Sequence, residues 1–199
     1  MRERGVACIT TLTASESFSR RRLQDLSFLD DPLIRDTSPL WFLDALRQEA
    51  VRPLDEGEKT SAAASARRLV VAQANAKRLN DAGILLVAGT DAPSPGLIQG
   101  EGLHRELELL VEAGLSPLRA ISAATKNAAM LMRAKAGWGT LEPGKRADLV
   151  LVDGRPDRRI GDTRRIRLVI QRGRIVDRAA LRFDARRDRG FRPATSISS

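Results

Sequence analysis

Residues 84–115 read ILLVAGTDAPSPGLIQGEGLHRELELLVEAGL, and this stretch decides the fold. The run at 84–88 is apolar at every position, which is typical of a parallel strand that is buried on both faces. A loop rich in glycine and proline follows. A helix is then predicted over 101–113, with Gly114 as its stop signal. The pattern is a strand–loop–helix unit with Asp91 just past the carboxyl end of the strand.

Asp91 is the first candidate for chemistry in this unit. In α/β barrels the catalytic groups lie at the carboxyl ends of the strands, on the loops that lead to the next helix. A carboxylate at the same place can instead cap the following helix or brace the loop. Its position alone leaves both interpretations open.

The sequence around this unit predicts alternating strand and helix. Residues 6–12, VACITTL, are short, apolar and β-branched, and are predicted to form another buried strand. Residues 13–60 are expected to be irregular with short helices, one of them over 40–51. The pattern at 61–80 has helical periodicity and ends at Gly83. Ser116 and Pro117 begin a helix that is expected to run to about residue 133.

The pattern changes after residue 137. Turn signals flank a predicted strand at 147–152, and Arg172-Gly173 separates two further strand-like runs, which indicates a hairpin. We therefore predict a first region over 1–136, a second region of short strands over 137–183, and a flexible tail over 184–199.

Composition sets limits on the class of protein. The chain has 199 residues, 42% of them hydrophobic, and a net charge of +9. No apolar run approaches the ~20 residues of a membrane span, and no signal peptide is evident. Cys8 is the one cysteine, so an internal disulfide is excluded. It is expected to be a core residue rather than a reactive thiol. These features predict a cytoplasmic protein without a membrane partner.

The positive charge is concentrated near the C-terminus. Residues 155–192 carry 14 Arg and 5 Asp, a balance of +9 that equals the net charge of the whole chain. An Arg-rich segment can bind nucleic acid or an acidic partner. Two phenylalanines, Phe183 and Phe191, lie among these charges, but they do not form the repeated aromatic pattern of nucleic-acid binders. A solvated basic surface is therefore the favoured interpretation, and nucleic acid is not expected as a partner.

Three motifs in order add a family resemblance. They are GTDAPSPG at 89–96, AGLSPLRAISAATKN at 113–127 and GTLEPGKRADLVLVD at 139–153. Together they resemble the C-terminal part of the amidohydrolase superfamily, in particular the imidazolonepropionase-like and Xaa-Pro-dipeptidase-like metal-dependent hydrolases. The resemblance is close over about 61–178. It implies an α/β fold: about the last two β/α units of a (β/α)8 barrel, plus strands of a small composite β-sandwich.

The resemblance also implies a chemistry. Family members hydrolyse C–N bonds in cyclic amide or peptide-like substrates, with a divalent metal, usually zinc, that activates a water. The resemblance makes Asp91 both the metal ligand that follows the last barrel strand and the catalytic group that accepts a proton from that water. His104 lies at no metal-ligand position of the family. A capping or packing role is favoured for it, and substrate binding is the alternative.

The chain departs from the family pattern in its histidines. His104 is the one histidine, so the family's His-x-His pair and its two mid-barrel histidines have no counterpart. The expectation is that the chain corresponds to a truncated C-terminal portion, inactive alone, with an N-terminal fragment as a possible complementing partner. The alternatives are a catalytically inactive remnant and an Arg-rich protein that binds nucleic acid or an acidic partner.

Overall fold

The computed structural model of the protein describes residues 1–184. Its α-helices are α1 (Leu12–Phe18), α2 (Pro32–Arg35), α3 (Leu40–Val51), α4 (Glu56–Asp81), α5 (Glu101–Glu112), α6 (Pro117–Ala124) and α7 (Lys126–Leu131). Its strands are β1 (Cys8–Thr10), β2 (Leu86–Ala88), β3 (Leu149–Val152), β4 (Ile166–Gln171) and β5 (Arg174–Ile175). Two strands alternate with helices in the first part of the chain and consecutive strands occupy the last, as the sequence pattern predicts.

β1 and β2 form a parallel pair in which Ile9 lies opposite Val87. Helices α1 to α4 connect the two strands, and α1 packs against both α4 and α5. Both Leu86 and Val87 are buried, so β2 is covered on its two faces, as its uniformly apolar sequence predicts. The main core forms where these helices meet the pair. It includes Leu12, Leu69, Leu86, Leu107, Leu109, Leu110, Leu115 and Ala120.

The predicted strand at 6–12 is two residues too long at each end, since β1 covers Cys8–Thr10. The observed strand stops at Thr10, and helix α1 begins at Leu12. The reason is a long-range contact: the carboxylate of Glu106, on α5, accepts hydrogen bonds from the backbone N–H groups of Leu12 and Thr13. These are donors of the first helical turn, which have no partner inside the helix itself.

Helix α4 begins five residues earlier than the periodicity predicts. The Asp55 side chain accepts a hydrogen bond from the Glu58 N–H, and the Glu58 side chain accepts one from the Asp55 N–H. This reciprocal capping box satisfies two backbone donors and fixes the start of the helix. The helix ends as predicted: Gly83 adopts a φ of 71°, in the left-handed region that glycine enters without steric cost.

The single helix predicted to begin at Pro117 is two helices. Ser116 caps α6 through the Arg119 N–H, as expected, but the chain turns at Thr125, where φ is −123° and ψ is −87°. Beyond the break, the Asn127 amide donates a hydrogen bond of 2.7 Å to the Leu86 carbonyl. The break thus lets α7 contact β2.

Strands β3, β4 and β5 form an antiparallel sheet in that order. The predicted hairpin at Arg172-Gly173 is confirmed: both residues have positive φ, 50° and 77°, as a two-residue type I′ turn requires. Asp148 supports the turn, because its carboxylate accepts a hydrogen bond of 2.7 Å from the Arg172 N–H.

The three-region division at residues 136 and 183 stays a prediction. Of the tail predicted over 184–199, residues 185–199 lie outside the described part of the chain. Among residues 1–184, no helix combines the length and the apolar character that a membrane span needs.

Candidate active site

Asp91 lies where the sequence places it, in the turn that leaves the carboxyl end of β2. Its φ is 58°, a left-handed conformation that few residues other than glycine adopt, although aspartate tolerates it better than most. Its side chain is exposed. Within residues 1–184 it forms no hydrogen bond or ion pair. Asp91 is therefore a solvent-facing carboxylate in the turn that follows a buried strand. Its side chain is free to accept a proton or to contact a cation.

The ends of β1 and β2 are joined just before this turn. The Gly89 N–H donates a hydrogen bond of 2.9 Å to the Thr10 carbonyl, which extends the ladder by one residue. A Cβ on Gly89 would lie 2.6 Å from the Ile9 side chain, so no larger residue fits there without displacing β1. The close approach places the first residues of α1 beside the Asp91 turn.

The loop after Asp91 is attached to α1. The Ser17 hydroxyl donates a hydrogen bond of 2.6 Å to the Pro95 carbonyl. Gly96 approaches Leu23 closely, and Leu97 is almost fully buried. This hydrogen bond and the buried apolar side chain give the loop a fixed path across the end of α1.

Glu106 is a fully buried carboxylate beside the strand ends. Its oxygens accept hydrogen bonds from the Leu12 N–H at 3.2 Å, from the Thr13 N–H at 2.9 Å and from the Thr13 hydroxyl at 3.0 Å. Burial raises the pKa of the Glu106 carboxyl, although the hydrogen bonds from Thr13 and Leu12 oppose that shift.

His104, the other candidate from the sequence, contacts the segment that precedes β4. Its Nδ1 lies 3.0 Å from the Thr163 hydroxyl, and that hydroxyl donates to the Ile160 carbonyl. Burial, helped by the positive charge of Arg164, lowers the pKa of the His104 imidazole. These contacts favour the packing role that was weighed for His104, and a substrate contact stays a prediction.

A charged cluster surrounds the start of α5. We use this name for Glu16, Arg22, Glu101, Arg105, Glu108 and Arg164. The buried Glu101 carboxylate contacts the Arg22 guanidinium at 2.6 Å and that of Arg164 at 2.7 Å. Arg105 donates to Glu16 and Glu108 at 2.7 Å and 2.9 Å. An open cavity of about 560 Å³ lies against this cluster. Its acids and bases neutralise each other, so its main effect is to join α1, α5 and the segment before β4.

Asp91 alone does not make a metal site. Among residues 1–184, no three His, Cys, Asp or Glu side chains lie close enough to hold one ion together. A catalytic zinc takes about three protein ligands. The side chains of residues 1–184 therefore do not fit a complete metal centre.

Several arginines in the described part of the Arg-rich region are ion-paired. Arg155 pairs with Asp157, Arg159 with Asp162, and Arg164 with three acids. The Arg155 and Arg159 side chains are still 62% and 72% exposed, and such exposed pairs are weak. The region therefore fits the interpretation of a solvated basic surface.

Comparison with known families decides the ancestry. The model of the amidohydrolase family matches residues 43–182, more than half of the chain. The chain belongs to the amidohydrolase family. The resemblance that the three sequence motifs carry is confirmed, and the α/β character of the fold agrees with it.

Specific relatives of this amidohydrolase are imidazolonepropionases and prolidases. The imidazolonepropionase of Geobacillus kaustophilus is 39% identical over 84 residues, which are 42% of this chain and 20% of the relative. A putative prolidase structure from Bifidobacterium longum is 31% identical and has a TM-score of 0.54 over 63% of this chain and 30% of that one. A Xaa-Pro dipeptidase structure with bound methionine is 27% identical and has a TM-score of 0.52 over 68% and 32%.

The chain spans about a fifth of the length of that imidazolonepropionase and about a third of the two solved structures. The activities of those whole proteins therefore cannot be assigned to residues 1–199 from the matches alone.

Sequence reasoning missed Glu106, Thr13 and Glu101. A signal for Glu106 was present: it lies four residues after Gly102 and four before Leu110, on the face of α5 that turns out to be buried. The apolar stripe predicted for this helix, Leu103, Leu107, Leu110 and Val111, includes the buried Leu107 and Leu110 but leaves out Glu106, and its Leu103 is exposed. An acid at helical spacing between apolar positions was the clue to a buried carboxylate.

Proposed function

We propose that this amidohydrolase chain supplies the catalytic carboxylate of a hydrolase that cleaves C–N bonds in cyclic amide or peptide-like substrates. The single observation that carries the proposal is Asp91. It stands at the carboxyl end of a buried parallel strand, exposed and unpaired within residues 1–184. That is the position from which barrel enzymes present catalytic groups. Imidazolonepropionases and a Xaa-Pro dipeptidase among the relatives support this class of substrate.

In the proposed fold, β1 and β2 with their helices are the last two β/α units of a (β/α)8 barrel, within a region over 1–136. The antiparallel sheet over 137–183 is part of the small composite sandwich. Two strands cannot close a barrel, and closure is what removes exposed strand edges. In the structure, Val6, just before β1, and Ile9, within β1, are 45% and 56% exposed. We propose that a complementing N-terminal polypeptide covers this side and supplies the remaining barrel strands.

The proposed role of Asp91 is proton transfer. Its carboxylate accepts a proton from the attacking water and so favours addition of that water to the carbonyl carbon of the scissile C–N bond. A divalent metal, of which zinc is the proposed identity, lowers the pKa of a water toward ~7 in completed sites of this kind. Asp91 is free for this work because no cation within residues 1–184 neutralises it.

The test is complementation. The chain is co-expressed with the N-terminal portion of an imidazolonepropionase relative, cut where its match to this chain begins. The assembly is assayed on a cyclic imidazolone substrate and on Xaa-Pro dipeptides. We expect hydrolysis that is lost on chelation and returns with zinc. A co-purifying assembly that hydrolyses neither substrate with any divalent metal would contradict the proposal and support an inactive remnant.

Replacement of His104 tests the boundaries of the proposed site. In the same assembly, His104→Ala is expected to change kcat by less than about twofold and to alter KM only modestly, because the imidazole contacts Thr163 rather than the Asp91 turn. Steady-state kinetics with the dipeptide substrate measure both parameters. A ~100-fold or larger loss of kcat, which is the scale of general acid–base catalysis, would contradict this prediction and show that His104 takes part in the reaction.

A further inference from the structure

Glu106 has an unusual environment for a carboxylate. It is fully buried, and within residues 1–184 it forms no ion pair. A buried carboxylate without a cation is costly unless hydrogen bonds satisfy it. Three donors come from the first turn of α1, where the helix dipole favours negative charge, and the Thr10 side chain also interacts with the carboxyl. One side chain of α5 thus fixes the start of the helix that follows β1.

The same face of α5 also contacts the turn that follows β2. Gly102 lies four residues before Glu106 and therefore on the same side of the helix. A Cβ at Gly102 would lie 2.6 Å from the Leu97 side chain and 3.5 Å from the Thr90 methyl group. Glycine therefore allows the helix to approach Thr90, the residue before Asp91.

Thr13 connects these two contacts. Its hydroxyl lies 3.0 Å from a Glu106 oxygen and 3.1 Å from the Thr90 carbonyl oxygen. The hydroxyl carries one proton and has two acceptors within reach. The proton is therefore shared, in a three-centre hydrogen bond, between the Glu106 carboxyl and the carbonyl of the peptide group that joins Thr90 to Asp91.

The orientation of that peptide group sets the conformation of Asp91. A positive φ at a residue with a side chain is sparsely populated and persists when its surroundings hold it in place. The Asp91 side chain has no contact of its own to do so within residues 1–184. The support must therefore come from the flanking residues: the Ala92 N–H donates to the Thr90 hydroxyl at 3.4 Å, and the hydroxyl of Thr13 contacts the carbonyl immediately before Asp91.

We propose that Thr13 and Glu106 are positioning residues, which hold the Thr90–Asp91 peptide so that the Asp91 carboxylate faces outward from the strand ends. The catalytic importance of this positioning rests on the proposed function of Asp91. The contacts of Thr13 with Glu106 and Thr90 are features of the structure itself. Glu106 fixes Thr13, and Thr13 fixes the turn.

The test compares Thr13→Val with Thr13→Ser. Valine keeps the shape and the backbone N–H to Glu106 but removes the hydroxyl, whereas serine keeps the hydroxyl. In the ¹⁵N-labelled chain alone, Thr13→Val should shift the amide signals of Asp91 and Ala92 and speed their hydrogen exchange. Signals of β1 and β2 should stay in place. Thr13→Ser should retain the wild-type signals of the turn.

In the complemented assembly, Thr13→Val should lower kcat about 10-fold with KM within about twofold, because misplacing a catalytic group acts on the chemical step. Thr13→Ser should restore kcat. Unchanged Asp91 signals in Thr13→Val, or no rescue by serine, would overturn the inference. An inactive wild-type assembly would overturn the proposed function instead, and the amide signals would still decide whether Thr13 holds the turn.

Discussion

Asp91→Asn is expected to lower metal-dependent hydrolysis by the complemented assembly by ~10² to 10⁴-fold, the usual worth of a general base. The amide has nearly the same shape and still faces solvent at the end of β2, but it cannot accept the proton of the attacking water. No hydrogen bond or ion pair of the Asp91 side chain within residues 1–184 is lost, so the fold should be unaffected.

Initial rates with the imidazolone and dipeptide substrates measure this effect, and circular dichroism with a thermal melt controls for folding. Asp153→Asn is a matched control. Asp153 is an exposed aspartate at the end of β3, paired at 4.0 Å with Arg167, and its replacement should leave the rate unchanged. If the Asp91→Asn assembly keeps the wild-type rate, Asp91 is not the general base and the assignment is wrong.

Glu101→Gln is expected to have the largest effect on stability. The variant keeps the size of the side chain but removes the charge that faces Arg22, whose side chain is 8% exposed. Breaking one partner of a buried pair leaves the other charge uncompensated and typically costs about 3 to 5 kcal/mol. Urea unfolding of the chain, followed by circular dichroism, measures the free energy of unfolding.

The matched control for Glu101→Gln is Glu56→Gln. Glu56 pairs with Lys59, but its side chain is 89% exposed, and such surface pairs contribute about 1 kcal/mol at most. The double variant Glu101→Gln, Arg22→Met should regain part of the lost stability, because it also removes the stranded cation. Equal effects of Glu101→Gln and Glu56→Gln would show that the charged cluster is not a stabilising element.

The sequence predicted best what local patterns determine. Helix α3 has the predicted bounds, because the periodicity over 40–51 is local. β2 and the exposed Asp91 at its end also follow from a short apolar run and a glycine turn. Strand propensity in VACITTL suggested a longer β1, and only a contact from Glu106, 94 residues away from Leu12, shows why a helix begins there instead.

The charged cluster could not be predicted for the same reason. Glu101, Arg105 and Glu108 look like the solvated face of a surface helix in the sequence. They are buried or half-buried because charged partners distant in the chain pair with them: Arg22 and Arg164 with the two acids, and Glu16 with Arg105. Burial of charge depends on tertiary pairing, so a linear pattern does not reveal it. The histidines that would complete the metal site of the family have no counterpart in this sequence, so the sequence could not predict a complete site.

The central claim is that Asp91 belongs to a metal site that this chain fills only in part, and zinc content tests it most directly. The chain alone, the complemented assembly and the assembly with Asp91→Asn are dialysed against a weak chelator, and their zinc is measured. We expect little zinc on the chain alone, since no three candidate ligands converge within residues 1–184. The assembly should retain stoichiometric zinc, and Asp91→Asn should reduce that retention. Stoichiometric zinc on the chain alone, or retention that is unaffected by Asp91→Asn, would contradict the account.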